Sequence, residues 1–200
     1  MCCLFGLIDT AQYVTRQQKN AILHALAAAS EARGQDATGV AYCHNGDLMV
    51  RKRPVPGHVF PLQIPYDAAV VMGHTRLTTQ GSEKKNYNNH PFLASAGAES
   101  FDLAHNGVIR NDRLLRKQEQ LPATKIETDS YIAVQLLSRS GGVSMDSLRD
   151  MAEQLEGSFS FTVLDDQNNL YFVKGDSPLC LYHYQSSGVY LYASTKQILE

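Results

Sequence analysis

From Phe159 to Ala193 the chain alternates between apolar and polar residues in short runs. The apolar positions are Phe159, Phe161 and Val163, then Tyr171 and Val173, then Leu179, Leu181 and Tyr182, then Val189, Leu191 and Ala193. Turn-forming clusters separate these runs: Asp165-Asp166-Gln167-Asn168, Gly175-Asp176-Ser177-Pro178 and Ser186-Ser187-Gly188. A period of two sends one face of each run to a core, so the segment predicts an antiparallel meander. Such sheets need a cover on the apolar face, and the rest of the chain must supply it.

Cys3 to Ile8 predicts a further short buried strand close to the first residue. Thr15 with Gln18 fits a capping box. Ala21, Ile22, Ala25, Leu26 and Ala29 then recur at helical spacing, with Gly34 as a stop. Val40 to Cys43 and Leu48 to Arg51 flank His44-Asn45-Gly46, a hairpin signal because Asn-Gly tolerates positive φ. Three prolines from Pro54 to Pro61 mark a loop, and Ala69 to Met72 predicts a buried strand that delivers Gly73-His74-Thr75-Arg76. Thr78 to His90 is polar and without period, a long surface loop of the kind that carries function. Phe101 to Ala104 predicts a strand, Thr128 to Ser138 a helix, and Met145 to Leu155 another that ends at Gly157. Lys196 to Glu200 looks like the opening of a helix. Strands at both ends with helices between them favour a layered α+β packing.

Composition narrows the functions on offer. Two hundred residues suit one domain, with 44% hydrophobic and 19% charged residues, and can bury a core without a disulfide or metal staple. A net charge of −2 offers no basic field for nucleic acid or an anionic membrane. No apolar stretch approaches the roughly 20 residues that span a bilayer, and no signal-cleavage pattern opens the chain. Cys2, Cys3, Cys43 and Cys180 have no metal-ligand spacing, and a reducing cytoplasm is their simplest home.

Several residues could carry chemistry. Removal of Met1 would leave Cys2 with a free α-amine, whose pKa of about 7.7–8.0 lets it accept a proton from a thiol of about 8.5. A buried cysteine opening a strand is the commoner use of that position. Arg76 offers a planar fork for a carboxylate, and Asp129 an anion for an ammonium group. Together they describe a free amino acid. Thr128-Asp129-Ser130 also reads as a helix N-cap. Asn106-Gly107 reads first as a hairpin turn, and also as an oxyanion site built from a side-chain amide and a backbone N–H. His74, His90 and His105 form no metal motif, and no glycine-rich phosphate loop is present.

In order along the chain, these pieces resemble the class II glutamine amidotransferase domain, an N-terminal-nucleophile (Ntn) hydrolase. The resemblance rests on Met1-Cys2-Cys3-Leu4-Phe5-Gly6, Arg33-Gly34-Gln35-Asp36-Ala37-Thr38-Gly39, Gly73 to Gly81, Asn88-Asn89-His90-Pro91-Phe92, His105-Asn106-Gly107-Val108-Ile109, Thr128-Asp129-Ser130 and Leu155-Glu156-Gly157-Ser158-Phe159. It covers residues 2–200 as one domain and implies a four-layer αββα sandwich. It implies hydrolysis of the L-glutamine side-chain amide, with Cys2 as nucleophile and its α-amine as base, and with Asn106 and Gly107 as oxyanion hole. Arg76 with Thr79 would take the substrate carboxylate, Asp129 the ammonium, and Arg33 would position the nucleophile's loop. No cofactor is implied.

Cys3 departs from the glycine that usually follows the nucleophile; in a strand it faces away from Cys2. The family usually joins this domain to a synthase that consumes the ammonia. The chain is then a stand-alone enzyme serving a separate synthase subunit, a piece or homologue of a larger enzyme such as glucosamine-6-phosphate synthase, or a silent glutamine-sensing module. A different Ntn amidase is the remaining alternative. A homo-oligomer is left open.

Overall fold

The structure is a computed structural model and describes residues 2–200; the expected removal of Met1 concerns a residue outside these. Strand β1 (Cys3–Ile8) leads into helix α1 (Arg16–Ser30), then β2 (Ala37–His44), β3 (Asp47–Arg53), β4 (Val70–Arg76), β5 (Phe92–Ala96) and β6 (Glu99–Ile109). Helices α2 (Asp112–Gln118), α3 (Tyr131–Arg139) and α4 (Met145–Gln154) follow, and then β7 (Gly157–Asp165), β8 (Leu170–Lys174), β9 (Cys180–Tyr184) and β10 (Val189–Ala193). Among the described residues the strands form a six-stranded sheet, β3-β2-β4-β1-β10-β9, and a four-stranded sheet, β5-β6-β7-β8, with antiparallel neighbours throughout.

Alternation along the strands makes the layers. Phe5 and Leu7 point from β1 to α1, where Leu23, Leu26 and Ala27 meet them with Val40 and Val71. Leu4 points the other way, into a middle layer with Ala41, Met72, Ala104, Leu164 and Tyr192. Phe101, Leu103, Phe161 and Val163 leave the smaller sheet on its far side and pack against Ile132, Ala133, Leu148 and Met151 of α3 and α4. Each such fully buried Leu or Phe contributes about 1.5–3 kcal/mol. The result is the four-layer αββα sandwich.

Local signals hold in most places. Thr15 Oγ1 accepts from Gln18 N at 3.2 Å and Gln18 Oε1 from Thr15 N at 2.9 Å, the reciprocal cap of α1. Asn45 and Gly46 take φ of +53° and +87° and turn β2 into β3. The helix stops at Ser30 rather than running to Gly34. Gly34 instead lets the following loop lie on β4, where a Cβ would meet the Arg76 carbonyl carbon at 2.5 Å.

Four expectations are corrected. Asn106-Gly107 is no hairpin turn: β6 runs straight through it, paired with β7 from Phe101↔Asp165 to Ile109↔Gly157. The meander is split, with β7 and β8 in the small sheet and β9 and β10 in the large one. The helix expected from Thr128 begins only at Tyr131; Ser130 of the expected triplet holds its N-cap position without a side-chain bond, and the Asp129 carboxylate reaches β6 instead. Lys196–Ile198 makes only a 3-10 turn. No helix among the described residues is long and apolar enough to cross a membrane.

Candidate active site

Strand β1 lies antiparallel to β4 with Cys3 opposite Thr75, so Cys2 sits beside the end of β4, where Arg76 is the last residue. Alternation puts Cys2 on the face of Leu4, between the sheets, and Cys3 on the face of Phe5, where it is fully buried beneath α1. Cys2, Arg76, Thr79, Gly107 and Asp129 then line one narrow crevice, with Leu77, Gln80, His90, His105, Thr128 and Ser130 completing its walls. Two wider grooves, one along β3 and one between α3 and α4, contain neither this thiol nor its neighbours.

The thiol of Cys2 approaches the Leu77 carbonyl at 3.7 Å. Burial pushes its pKa up, and the backbone of Leu77 and the charge of Arg76 oppose that rise. Arg33 follows α1 and donates Nε–H to the Cys2 carbonyl at 3.1 Å, which fixes the residue from behind the crevice. The same loop is tied to β4: Asp36 N donates to Arg76 O at 2.9 Å, and Thr78 N donates to Asp36 Oδ2 at 2.7 Å.

Arg76 is almost fully buried, and burial disfavours its charge. Its Nη1 donates to Asn89 Oδ1 at 2.7 Å and its Nη2 to the Gln80 carbonyl. A guanidinium has five N–H donors, so the fork is anchored and still has donors to offer. Asn89 is itself held by Lys52, whose Nζ donates to the Asn89 and Pro91 carbonyls at 2.6 and 2.8 Å. Burial lowers the Lys52 pKa to about 8.

Asp129 Oδ2 accepts from Ile109 N at 2.7 Å, just beyond Gly107 on β6. Burial raises its pKa, and the Ile109 N–H pulls it back. Gly107 has a φ of +148°, and a Cβ there would stand 2.0 Å from the Ser158 carbonyl oxygen, so only glycine fits. Asn106 does not line the crevice. It is fully buried behind it, with Nδ2 donating to Ser194 Oγ at 3.2 Å and with Oδ1 unpartnered among the described residues.

The histidines near the thiol are neutral. Burial lowers His74 and His105 to about 3, and His90 well below its usual value. His74 Nε2 meets the His105 carbonyl at 3.0 Å, His105 Nδ1 meets Ser130 Oγ at 2.8 Å, and the His74 and His90 rings lie 4.2 Å apart. Groups so hard to protonate are poor proton acceptors near neutrality. Among the described residues no cluster of three or more His, Cys, Asp or Glu is placed to hold a metal.

Sequence reasoning did not find Asn89, Gln80, Lys52 or Ser194 as supports. Asn89 lies in a quoted motif, but nothing in its residue type says that its side chain accepts from Arg76. Ser194, one residue past β10, carries no signal in the sequence.

Residues 74–200, more than half of the chain, match the family model of the glutamine amidotransferase domain. The chain belongs to that family. This amidotransferase chain is 32% identical over 159 residues to the glutamine–fructose-6-phosphate aminotransferase (isomerizing) of Geobacillus kaustophilus, which covers 74% of the chain and 26% of that protein. The corresponding protein of Bacillus thuringiensis is 35% identical over the same length and coverage. The chain thus spans about a quarter of the length of these relatives. The glutamine phosphoribosylpyrophosphate amidotransferase of Bacillus subtilis, solved with ADP and GMP, superposes with a TM-score of 0.75 at 20% identity, over 99% of this chain and 43% of that one. The amidotransferase chain therefore shares its Ntn hydrolase fold.

Proposed function

We propose that the domain hydrolyses the side-chain amide of L-glutamine through a thioester on Cys2. The observation that carries this reading is the crevice itself, where a thiol, an arginine fork, a carboxylate and a glycine from distant parts of the chain meet. The fork and the carboxylate suit the two charges of a free α-amino acid, Arg76 with Thr79 taking the carboxylate and Asp129 the ammonium. A bound ammonium would also hold Asp129 ionised against the effect of its burial.

In the reaction, Cys2 Sγ attacks the amide carbon and its proton passes to the Cys2 α-amine, free once Met1 is removed. The neutral histidines beside the thiol favour the amine as base. The amide oxygen gains the negative charge, which the second Nδ2 hydrogen of Asn106 and the N–H of Gly107 stabilise. The C–N bond breaks, ammonia leaves with the proton, and water then cleaves the thioester to glutamate and regenerates the thiol. Arg33 holds the nucleophile's backbone. Ammonia would pass to a synthase, either a separate subunit or a further part of the same protein, in a reducing compartment that suits four free cysteines.

Glutamate release tests the assignment. Cys2→Ala should lose turnover while still binding glutamine, and hydrolysis by that variant would overturn the mechanism. Arg76→Lys should raise KM at least tenfold with a smaller change in kcat, because an ammonium cannot form the two parallel bonds of the fork. An unchanged KM would remove Arg76 from that role. A silent glutamine-binding module would bind without release in the unmodified chain.

A further inference from the structure

The Asn106 carboxamide is buried behind the crevice, so something other than substrate must fix its orientation. The described residues give its Nδ2 one protein partner, Ser194 Oγ, at 3.2 Å. The same oxygen accepts from Leu4 N at 2.9 Å, and Ser194 N donates to Leu4 O at 2.8 Å. Leu4 is two residues from Cys2 on the same face of β1. Ser194 itself is fully buried and follows the last residue of β10, the strand beside β1.

We propose that Ser194 is a positioning residue that locks the Asn106 carboxamide to the strand carrying the nucleophile. The inference rests on the reading of Asn106 as an oxyanion donor. A carboxamide presents either two N–H donors or an acceptor oxygen to a given side. With one Nδ2 hydrogen on Ser194 Oγ, the second is held for the oxyanion. Without Ser194 the amide can rotate and turn Oδ1, a repulsive acceptor, toward the developing charge. The bond also spans the two sheets, so it sets the distance between a donor on β6 and the Cys2 sulfur that immediately precedes β1. Three residues far apart in sequence, 4, 106 and 194, are joined through one oxygen.

The test is steady-state glutamine hydrolysis by Ser194→Ala, Ser194→Cys, Asn106→Ala and the double variant, alongside alkylation of Cys2 by iodoacetamide. Alkylation displaces iodide at a saturated carbon and builds no oxyanion, so it reports the thiol and its strand alone. Ser194→Ala should lower kcat by 10- to 100-fold, with KM and the alkylation rate changed less than twofold. Ser194→Cys, of similar size and a weaker acceptor, should fall between it and the unmodified chain. Adding Ser194→Ala to Asn106→Ala should cost nothing further.

Unchanged kcat in Ser194→Ala would overturn the proposal. So would an equal loss of hydrolysis and alkylation, which would make Ser194 merely structural, or losses that multiply in the double variant. Full turnover by Asn106→Ala would instead overturn the oxyanion reading on which the proposal stands.

Discussion

The Cα of residue 107 sits where a strand would ordinarily carry a side chain, and the Ser158 carbonyl of the neighbouring strand fills that space. Its φ of +148° is a region that other residues reach only with strain. Gly107→Ala should therefore cost about 1–3 kcal/mol from the backbone alone. For a chain of 200 residues each kcal/mol lowers Tm by roughly 2–4 °C. If the N–H of Gly107 meets the oxyanion, kcat should also fall by roughly 100-fold or more. Calorimetry and glutamate release measure the two effects. Gly46→Ala is the control, because Gly46 also has a positive φ but no atom within 4 Å of its missing Cβ. It should lose stability and keep activity, whereas a fully active Gly107→Ala would remove that residue from the site.

At the scale of elements, the capping box of α1 offers a clean perturbation. Thr15→Ala removes an acceptor for Gln18 N and should destabilise the fold by about 1 kcal/mol without altering turnover, as read from urea unfolding. That cap was legible because both partners lie three residues apart. The two Asn-Gly pairs show where legibility ends. At Asn45-Gly46 the flanking runs pair with each other, from Thr38↔Arg53 to His44↔Asp47, and the dipeptide becomes the turn. At Asn106-Gly107 both flanking runs pair instead with residues 157–165, so the same dipeptide stays inside a strand. The choice is made by a segment some fifty residues away, which local pattern does not contain. Strand β5 escaped notice because Phe92 and Leu93 are adjacent rather than alternating and the small Ala94, Ser95 and Ala96 that follow give little apolar contrast, and α2 because its seven residues bury only Leu115. Likewise, the alternation that begins at Phe159 gives the strands their faces but not their sheet, since the crossing from β8 to β9 depends on what each pair packs against.

For the whole molecule, the polar layer between and beside the sheets governs the response to acid. His74 and His105 have folded pKa values of about 3, against 6.5 for an ordinary histidine, and His90 is lowered too. Between those limits the unfolded chain binds protons that the folded chain refuses, so stability falls as pH drops below about 6.5. Each histidine contributes a slope of up to about 1.4 kcal/mol per pH unit. Asp102 and Asp129, both raised by burial, act in the opposite sense, because the folded chain then binds the extra proton. The histidine contribution is read by difference: any fall in Tm from pH 7 to pH 4 should be smaller, or a rise larger, in His105→Phe than in the unmodified chain. An identical pH dependence in the two proteins would show that the fold does not hold His105 uncharged.

Strand β1 lies in mid-sheet, flanked on one side by residues 70–75 and on the other by residues 190–193. Of the described strands β1 is synthesised before the others, yet its sheet cannot be completed until β10 has followed. The proposed nucleophile is held beside that strand: a polypeptide that lacks β10 leaves one edge of β1 unpaired, and the loop that must close to fill it spans most of the sequence.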